Sequence, residues 1–135
     1  MLFIDTGAFI GRYVGSDPHH DAAVEAWSEV NAKRPPIFTS SSVIDETATN
    51  LARIAGYDFA AGVTRGLLTD SRLRVLRPGK ADEMAAAAVF AKHADQRVSF
   101  TDCTSFVLMK ANGIRRAFSF DRHFEAAGFA LFPVT

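Results

Sequence analysis

Short apolar runs alternate with longer amphipathic segments along almost the whole chain of 135 residues. An apolar run is typical of a buried strand, and an amphipathic segment is typical of a helix that covers one face of a sheet. Strands separated by helices pair in parallel, through right-handed crossovers. We therefore expect a single α/β domain over residues 1–135, built as a three-layer α/β/α sandwich with a mainly parallel central sheet.

The apolar runs predict six short strands, and the segments between them predict the helices. The predicted strands are 1–4, 37–39, 73–76, 98–100, 117–120 and 130–132. The first predicted helix follows a turn at 5–7, and the others are 18–33, 43–54, 58–69, 81–94, 103–111 and 121–127. Within the helix at 81–94, the alanine-rich stretch 84–91 is expected to be buried. The serines at 40–42 are candidate helix caps, and Ser42 with Asp45 resembles a capping box.

The composition indicates an ordinary globular protein. Hydrophobic residues make up 48% and charged residues 22%, which excludes a disordered chain. No apolar run approaches the roughly 18 residues that span a bilayer, and Asp5 follows the first apolar run without a basic segment of the signal-peptide type. The single cysteine, Cys103, excludes an internal disulfide and is compatible with a reducing compartment. We therefore expect a cytoplasmic protein without membrane contact.

Four acidic residues lie at or just beyond the ends of apolar runs, or in the first turns of the helix that follows. They are Asp5, Glu46, Asp102 and Asp121. The carboxyl ends of parallel strands share one edge of a sheet, and ligands bind in the crevice there. Four acids in one place repel each other unless a cation neutralises them, and hard cations such as Mg²⁺ prefer oxygen ligands. We therefore expect these residues to be metal ligands and catalytic residues of a hydrolase that uses a metal-activated water.

Helix capping offers a simpler explanation for some of these acids. Aspartate is favoured at helix N-caps, which would explain Asp5, Asp102 and Asp121 one at a time. Glu46 lies inside a predicted helix, on the same face as Asn50, and is not explained in this way. Its neighbour Asp45 is the alternative ligand.

The net charge of the chain neither indicates nor excludes a nucleic-acid partner. Fifteen basic and fifteen acidic residues cancel, but neutralising the four proposed site acids would leave 15 − 11 = +4 on the rest. One basic group comprises Arg72, Arg74, Arg77 and Lys80, and ordinary surface charge explains it equally well. A second group comprises Arg115, Arg116 and Arg122. We expect it to flank the site and to bind the phosphates of RNA.

Three sequence blocks resemble a known family. They are FIDTGAFIGRY, SSSVIDETATNL and FTDCTSFVLMKANGIRRAFSFDRHFEAAGF. In these blocks the chain resembles PIN-domain ribonucleases, specifically the VapC-type toxins of prokaryotic toxin–antitoxin pairs. The resemblance spans almost the whole chain, and its most specific part pairs TDC with a downstream FSFDRHF.

The resemblance implies a PIN-like fold and a Mg²⁺-dependent endoribonuclease, with Mn²⁺ as an alternative ion. The acidic quartet that coordinates the ion corresponds to Asp5, Glu46, Asp102 and Asp121, and Ser119 corresponds to a hydroxyl that accompanies the last acid. The family often has a further acid shortly afterwards, where this chain offers His123 and Glu125.

The resemblance also implies partners. The substrate would be a translation-related RNA, and a cognate antitoxin would wrap the enzyme and insert a basic side chain into the acidic pocket. The helix of Trp27 and the alanine- and phenylalanine-rich helices would supply an apolar groove or the face of a homodimer.

Other functions fit parts of the sequence. One is a non-catalytic binding module whose acidic pocket docks a basic peptide, and another is a DNA-directed nuclease of similar fold. A cysteine nucleophile at Cys103, with His123 as its base, is opposed by the negative charge of Asp102. The spacing of Gly7, Gly11 and Gly15 indicates close packing of the first helix.

Overall fold

Five parallel strands form one sheet within residues 1–134, which are the residues that the computed structural model describes. The strands are β1 (Leu2–Ile4), β2 (Ile37–Ser40), β3 (Leu73–Leu76), β4 (Arg116–Phe118) and β5 (Ala130–Phe132). Their order across the sheet is β3–β2–β1–β4–β5, and every pairing is parallel. This arrangement confirms the predicted α/β fold.

Seven α-helices connect the strands of this part of the chain. They are α1 (Thr6–Tyr13), α2 (His20–Lys33), α3 (Ser41–Ala55), α4 (Tyr57–Thr69), α5 (Lys80–Lys92), α6 (Phe100–Ala111) and α7 (His123–Ala126). A single 3₁₀ turn, Ala94–Gln96, joins α5 to the loop before α6. None of these helices is long and apolar enough to cross a membrane.

The central strand β1 has neighbours on both sides. Phe3 is in register with Phe38 of β2 and with Ala117 of β4. All three residues of β1 are buried, as expected for a central strand covered on both faces. The chain builds β1, β2 and β3 in one direction and then returns to β4 on the other side of β1. This change of direction creates a crevice at the carboxyl edge of the sheet.

The strand predicted at 98–100 does not form. Ser99 is instead the N-cap of α6, and its Oγ accepts a hydrogen bond from the backbone N–H of Asp102 at 3.0 Å. A serine three residues before an aspartate favours a helix start, and here this local preference outweighs a short apolar run. Val98 is still buried, but by packing and not by strand pairing.

Two further details of the helices differ from the predictions. The cap of α3 is Ser40, whose Oγ accepts from the backbone N–H of Val43 at 3.1 Å, and not Ser42. The stretch 84–91 of α5 is mostly exposed, with Met84 64% exposed and Ala86 its one buried residue. An alanine-rich helix has no strongly apolar stripe, so its composition did not indicate which face it would bury.

Close packing of α1 occurs at one of its predicted glycines, and the neighbour there is α2. A Cβ on Gly11 would lie 2.8 Å from the Cβ of Ala23 in α2, whereas a Cβ on Gly15 would have no neighbour within 4 Å. Further along α2, the side chain of Trp27 belongs to the core. Its Nε1 donates to the carbonyl oxygen of Ala8 at 3.0 Å, and its ring stacks on Phe9.

Candidate metal centre

A cleft of about 620 Å³ lies at the carboxyl edge of the sheet, and all four predicted acids line it. Asp5 follows β1 directly and Asp121 lies in the loop between β4 and α7. Glu46 is in the second turn of α3. Asp102 is in the first turn of α6, and not at a strand end as predicted. Four different elements therefore bring the four carboxylates to one place.

A buried serine holds the carboxylate of Asp5. Ser119 Oγ donates to Asp5 Oδ2 at 2.7 Å, and Ser119 Oγ itself accepts from the backbone N–H of Asp121 at 3.0 Å. Burial raises the pKa of Asp5 to about 6, even though the bond from Ser119 acts in the opposite direction. The charges of Asp121 and Glu46 raise it further. Ser119, the hydroxyl that the family resemblance indicated, thus orients the carboxylate of Asp5. Burial disfavours the charged form of this carboxylate.

The pKa of the Asp102 carboxyl group is raised further than that of Asp5. Burial raises its pKa to about 8, with further contributions from the negative charges of Asp5 and Asp121 and from a hydrogen bond with the Asp121 side chain. The bond from Ser99 lowers this pKa only in part. Like charges at such short range cannot all ionise without a counter-charge. A divalent cation would supply that charge.

His123 is the additional group near the acids. Its backbone N–H donates to Asp121 Oδ1 at 2.9 Å, and its Nδ1 lies 3.0 Å from the same oxygen. Asp102, Asp121 and His123 each offer one ligand atom, and these atoms lie within 4.8 Å of one another. The other candidate at this end of the chain, Glu125, instead pairs with Arg122 at the surface, at 3.2 Å. The sequence offered both residues, and the fold brings only the histidine to the cleft.

A buried hydroxyl in the cleft also fits the binding of a cation. Thr6 lines the cleft, and among the described residues its Oγ1 has no hydrogen-bond partner although it is buried. A buried polar atom without a partner is costly unless a ligand or an ordered water satisfies it. Thr101, the other threonine beside a predicted ligand, lines a shallower depression next to Glu46.

The basic residues at the rim differ from the prediction. Arg122 lines the cleft as expected, but Arg115 and Arg116 lie at the amino end of β4, the opposite edge of the sheet. Sequence reasoning missed Arg97 and His19, which also line the cleft. Arg97 adopts a left-handed backbone conformation with φ of 56°, and no local sequence signal marks it.

Cys103 does not support a thiol mechanism. Its side chain is fully buried in the core. Burial raises the pKa of the thiol, and the charge of Asp102 raises it further, so the reactive thiolate is disfavoured.

The fold and the site together define the class of protein, a parallel α/β domain with a metal-binding cluster of acids at its carboxyl edge. The family model of the PIN domain matches residues 2–130, and the chain belongs to this family. It is 33% identical over 129 residues to the 23S rRNA-specific endonuclease VapC20 of Mycobacterium tuberculosis, covering 96% of this chain and 95% of that protein.

Solved structures show the same relationship. The crystal structure of Mycobacterium tuberculosis VapC20, described as a sarcin–ricin loop cleaving toxin, matches with a TM-score of 0.86 and 32% identity over 96% of this chain and 97% of that chain. DNA-bound VapBC from Salmonella typhimurium matches with a TM-score of 0.68 at 16% identity, over 96% and 95% of the two chains. FitAcB from Neisseria gonorrhoeae matches with a TM-score of 0.66 at 15% identity, over 98% and 96%. The last two show a shared fold.

These matches confirm the resemblance to PIN domains and to their VapC toxins, and they confirm the predicted PIN-like fold. They also confirm the class of enzyme. PIN domains are metal-dependent nucleases that hydrolyse phosphodiester bonds, and this chain is one of them.

Proposed function

We propose that the chain is a Mg²⁺-dependent endoribonuclease that acts as the toxin of a toxin–antitoxin pair. Asp5, Glu46, Asp102 and Asp121 are its metal-binding and catalytic residues, and Mn²⁺ is an alternative ion. The observation that supports this most strongly is the convergence of four acids from four elements in one cleft. The 33% identity to a ribosomal RNA endonuclease supports the choice of RNA.

The donor set fits a hard divalent cation. Carboxylate oxygens and a buried hydroxyl without a partner are ligands that Mg²⁺ and Mn²⁺ prefer. We assign Asp5 and Asp102 as direct ligands and Glu46 and Asp121 as the groups that complete the pocket. A bound ion would lower the pKa of a coordinated water and stabilise the negative charge that develops on the phosphate.

The chain's own residues position the reacting groups. Ser119 fixes the orientation of Asp5 through its 2.7 Å bond, and Thr6 offers a hydroxyl on the same side of the cleft. Burial and the neighbouring acids raise the pKa of Asp102 to about 8, so its carboxyl holds a proton at neutral pH, and a bound cation would take the place of that proton. Glu46, on α3, lines the same cleft and would orient the attacking water together with Asp121.

The substrate is proposed from the relatives and from the rim of the cleft. VapC20 is named for 23S rRNA and described as cleaving the sarcin–ricin loop, so large-subunit ribosomal RNA is the first substrate to test. Arg97 and Arg122 give the acidic cleft a basic rim that suits a phosphate backbone. Such a toxin would act in the cytoplasm, where ribosomes are.

An antitoxin partner and a homodimer complete the proposal. The acidic cleft suits a basic side chain of an antitoxin, and an apolar groove of about 650 Å³ runs between α3 and α4. Tyr57 in this groove is 82% exposed and Leu68 is half exposed. Exposed Met84 and Phe90 on α5 offer a face for a second copy of the chain.

The test compares the wild type with Asp5→Asn, which keeps the shape of the side chain but removes its charge. We expect the wild type to cleave ribosomal RNA fragments with Mg²⁺ or Mn²⁺ and not with EDTA. Asp5→Asn should reduce cleavage on the order of a hundredfold or more and abolish toxicity on expression, since loss of an outer-shell partner alone costs ~10–100-fold. Glu25→Gln, an exposed acid on α2, is the matched control.

Three outcomes would contradict the proposal. Cleavage that survives EDTA or Asp5→Asn would exclude the metal mechanism. A DNA strand of the same sequence cut as fast as the RNA would favour a DNA-directed nuclease. Toxicity that Asp5→Asn leaves unchanged, with circular dichroism showing both proteins folded, would favour a non-catalytic binding module.

A further inference from the structure

Two flat rings lie stacked at the edge of the acidic cleft. The ring centroids of His19 and Phe120 are 4.4 Å apart and their planes differ by 4°, so the rings lie face to face. Both residues line the cleft that contains the four acids. Neither residue has a role in the metal centre described above.

Both rings are held in place from behind. Phe120 lies between Ser119 and Asp121, which are tied to the metal centre, and its ring meets Phe118 of the core edge to face at 6.1 Å. The backbone N–H of His19 donates to Asp17 Oδ2 at 2.9 Å, which fixes the turn before α2. The backbone that carries His19 is fixed by this turn, and the ring of Phe120 is packed against the core.

The outer ring of the pair is free to meet a ligand. His19 is exposed, and in the described part of the chain its ring makes no hydrogen bond to protein. The neighbouring His20 differs, because its Nδ1 lies 2.7 Å from the carbonyl oxygen of Gly11 and so helps to join α2 to α1. One face of the His19 ring covers Phe120, and the exposed His19 side chain lines the cleft.

We propose that His19 and Phe120 form a base-stacking platform that takes one unpaired base of the RNA beside the bond to be cut. Proteins that read RNA commonly stack splayed-out bases on aromatic or histidine rings. Phe120 is the chain neighbour of Asp121, and both residues line the cleft together with His19, so the platform lies beside the acids that would hold the ion. The inference rests on the proposed ribonuclease function and defines its substrate as RNA with an unstacked nucleotide at the cleavage site.

The first test separates binding from chemistry. His19→Ala should raise KM for an RNA loop roughly 5- to 150-fold and leave kcat within about twofold, because a base stack is worth ~1–3 kcal/mol and every 1.4 kcal/mol is tenfold. His19→Phe, which keeps a flat ring, should restore the wild-type KM. His93→Ala, at the end of α5, is the matched control and should have no effect.

The second test identifies the base. RNA loops with one abasic nucleotide at successive positions should show a single position where loss of the base raises KM as much as His19→Ala does. On that abasic RNA, His19→Ala should have no additional effect, because the base that the platform holds is already missing.

A fluorescence measurement tests the platform without catalysis. In the inactive Asp5→Asn background, 2-aminopurine at the identified position should be quenched on binding, and the quenching should be lost with His19→Ala and with Phe120→Leu. If no abasic position is identified, 2-aminopurine is placed at each loop position in turn. The quenching measurement therefore tests the platform even if the wild type does not cleave RNA.

A structural role of the stacked rings would give different results. If His19→Ala lowers thermal stability or Mn²⁺ affinity while KM and the quenching stay at wild-type values, the rings only support the loop and the proposal is wrong. Equal KM values for His19→Ala and wild type on all RNA loops, with normal stability, would also overturn it. Failure of the wild type to cleave any RNA would instead refute the ribonuclease proposal.

Discussion

Replacing Asp102 by asparagine should make the metal-free protein more stable while it abolishes activity. Asp102 is 8% exposed, and burial raises its pKa from 3.8 to about 8. At a pH between these two pKa values, the carboxyl of Asp102 is protonated in the folded protein and ionised in the unfolded chain. The stability of the metal-free wild type therefore falls as pH rises from 3.8, and this loss is complete above about pH 8.

The size of the gain follows from the pKa shift. Each pH unit inside this window costs ~1.4 kcal/mol of unfolding free energy. At a pH of about 6, roughly two units above 3.8, protonating Asp102 in the folded state therefore costs on the order of 3 kcal/mol. Asparagine needs no proton and can donate to Asp121 as the protonated acid does. At this pH the metal-free Asp102→Asn variant should therefore have an unfolding free energy higher than that of the wild type by up to ~3 kcal/mol. This difference should vanish near pH 4.

Urea unfolding in EDTA at several pH values measures this effect. The wild type should lose stability as pH rises, and Asp102→Asn should show a weaker dependence, with Asp5 as the remaining contributor. Saturating Mn²⁺ should stabilise the wild type more than the variant, because only the wild type has the complete ligand set. Equal pH dependence of the two proteins, or a less stable variant at pH 6, would refute the reasoning.

Three further predictions concern the hydrogen bond to Asp5, a left-handed residue at the cleft, and the packing of α1 on α2. Ser119→Ala removes the bond to Asp5 Oδ2, so it should raise the pKa of Asp5 further and weaken Mn²⁺ binding ~10-fold or more in titration calorimetry. Arg97→Gly should relieve a left-handed backbone and add ~1 kcal/mol in urea unfolding, while RNA binding weakens and becomes less salt-dependent. Arg34→Gly, at another left-handed residue away from the cleft, should give a similar gain in stability without changing RNA binding. Gly11→Ala would place a carbon 2.8 Å from a Cβ of α2 and should lower the unfolding free energy by ~1–3 kcal/mol.

The sequence predicted the positions of the acids well where an acid follows a strand. Asp5 comes directly after an apolar run, and Asp121 follows another, so the parallel fold alone places them at one edge. Asp102 lies in the cleft as expected but for a different reason, because the predicted strand before it is the start of α6. A three-residue apolar run does not distinguish a strand from a buried helix start, and here the serine cap decides in favour of the helix.

Other features of the site depend on contacts that no local pattern describes. The stacking of His19 on Phe120 joins segments far apart in the chain, and neither segment alone indicates it. Arg116 was predicted at the cleft because it is close to Asp121 in sequence. A strand rises ~3.3 Å per residue, so even the short β4 separates its two ends, and Arg116 lies at the opposite edge.

The hydrogen bond between Ser119 and Asp5 joins residues that are 114 positions apart. A ribosome that synthesises this polypeptide releases β1 long before the segment around Ser119 exists. Until that late segment pairs with β1, Asp5 lacks the hydroxyl that orients it and Asp121 is absent altogether. With the catalytic roles proposed above, a nascent chain would lack a complete site until β4 pairs with β1, late in its synthesis.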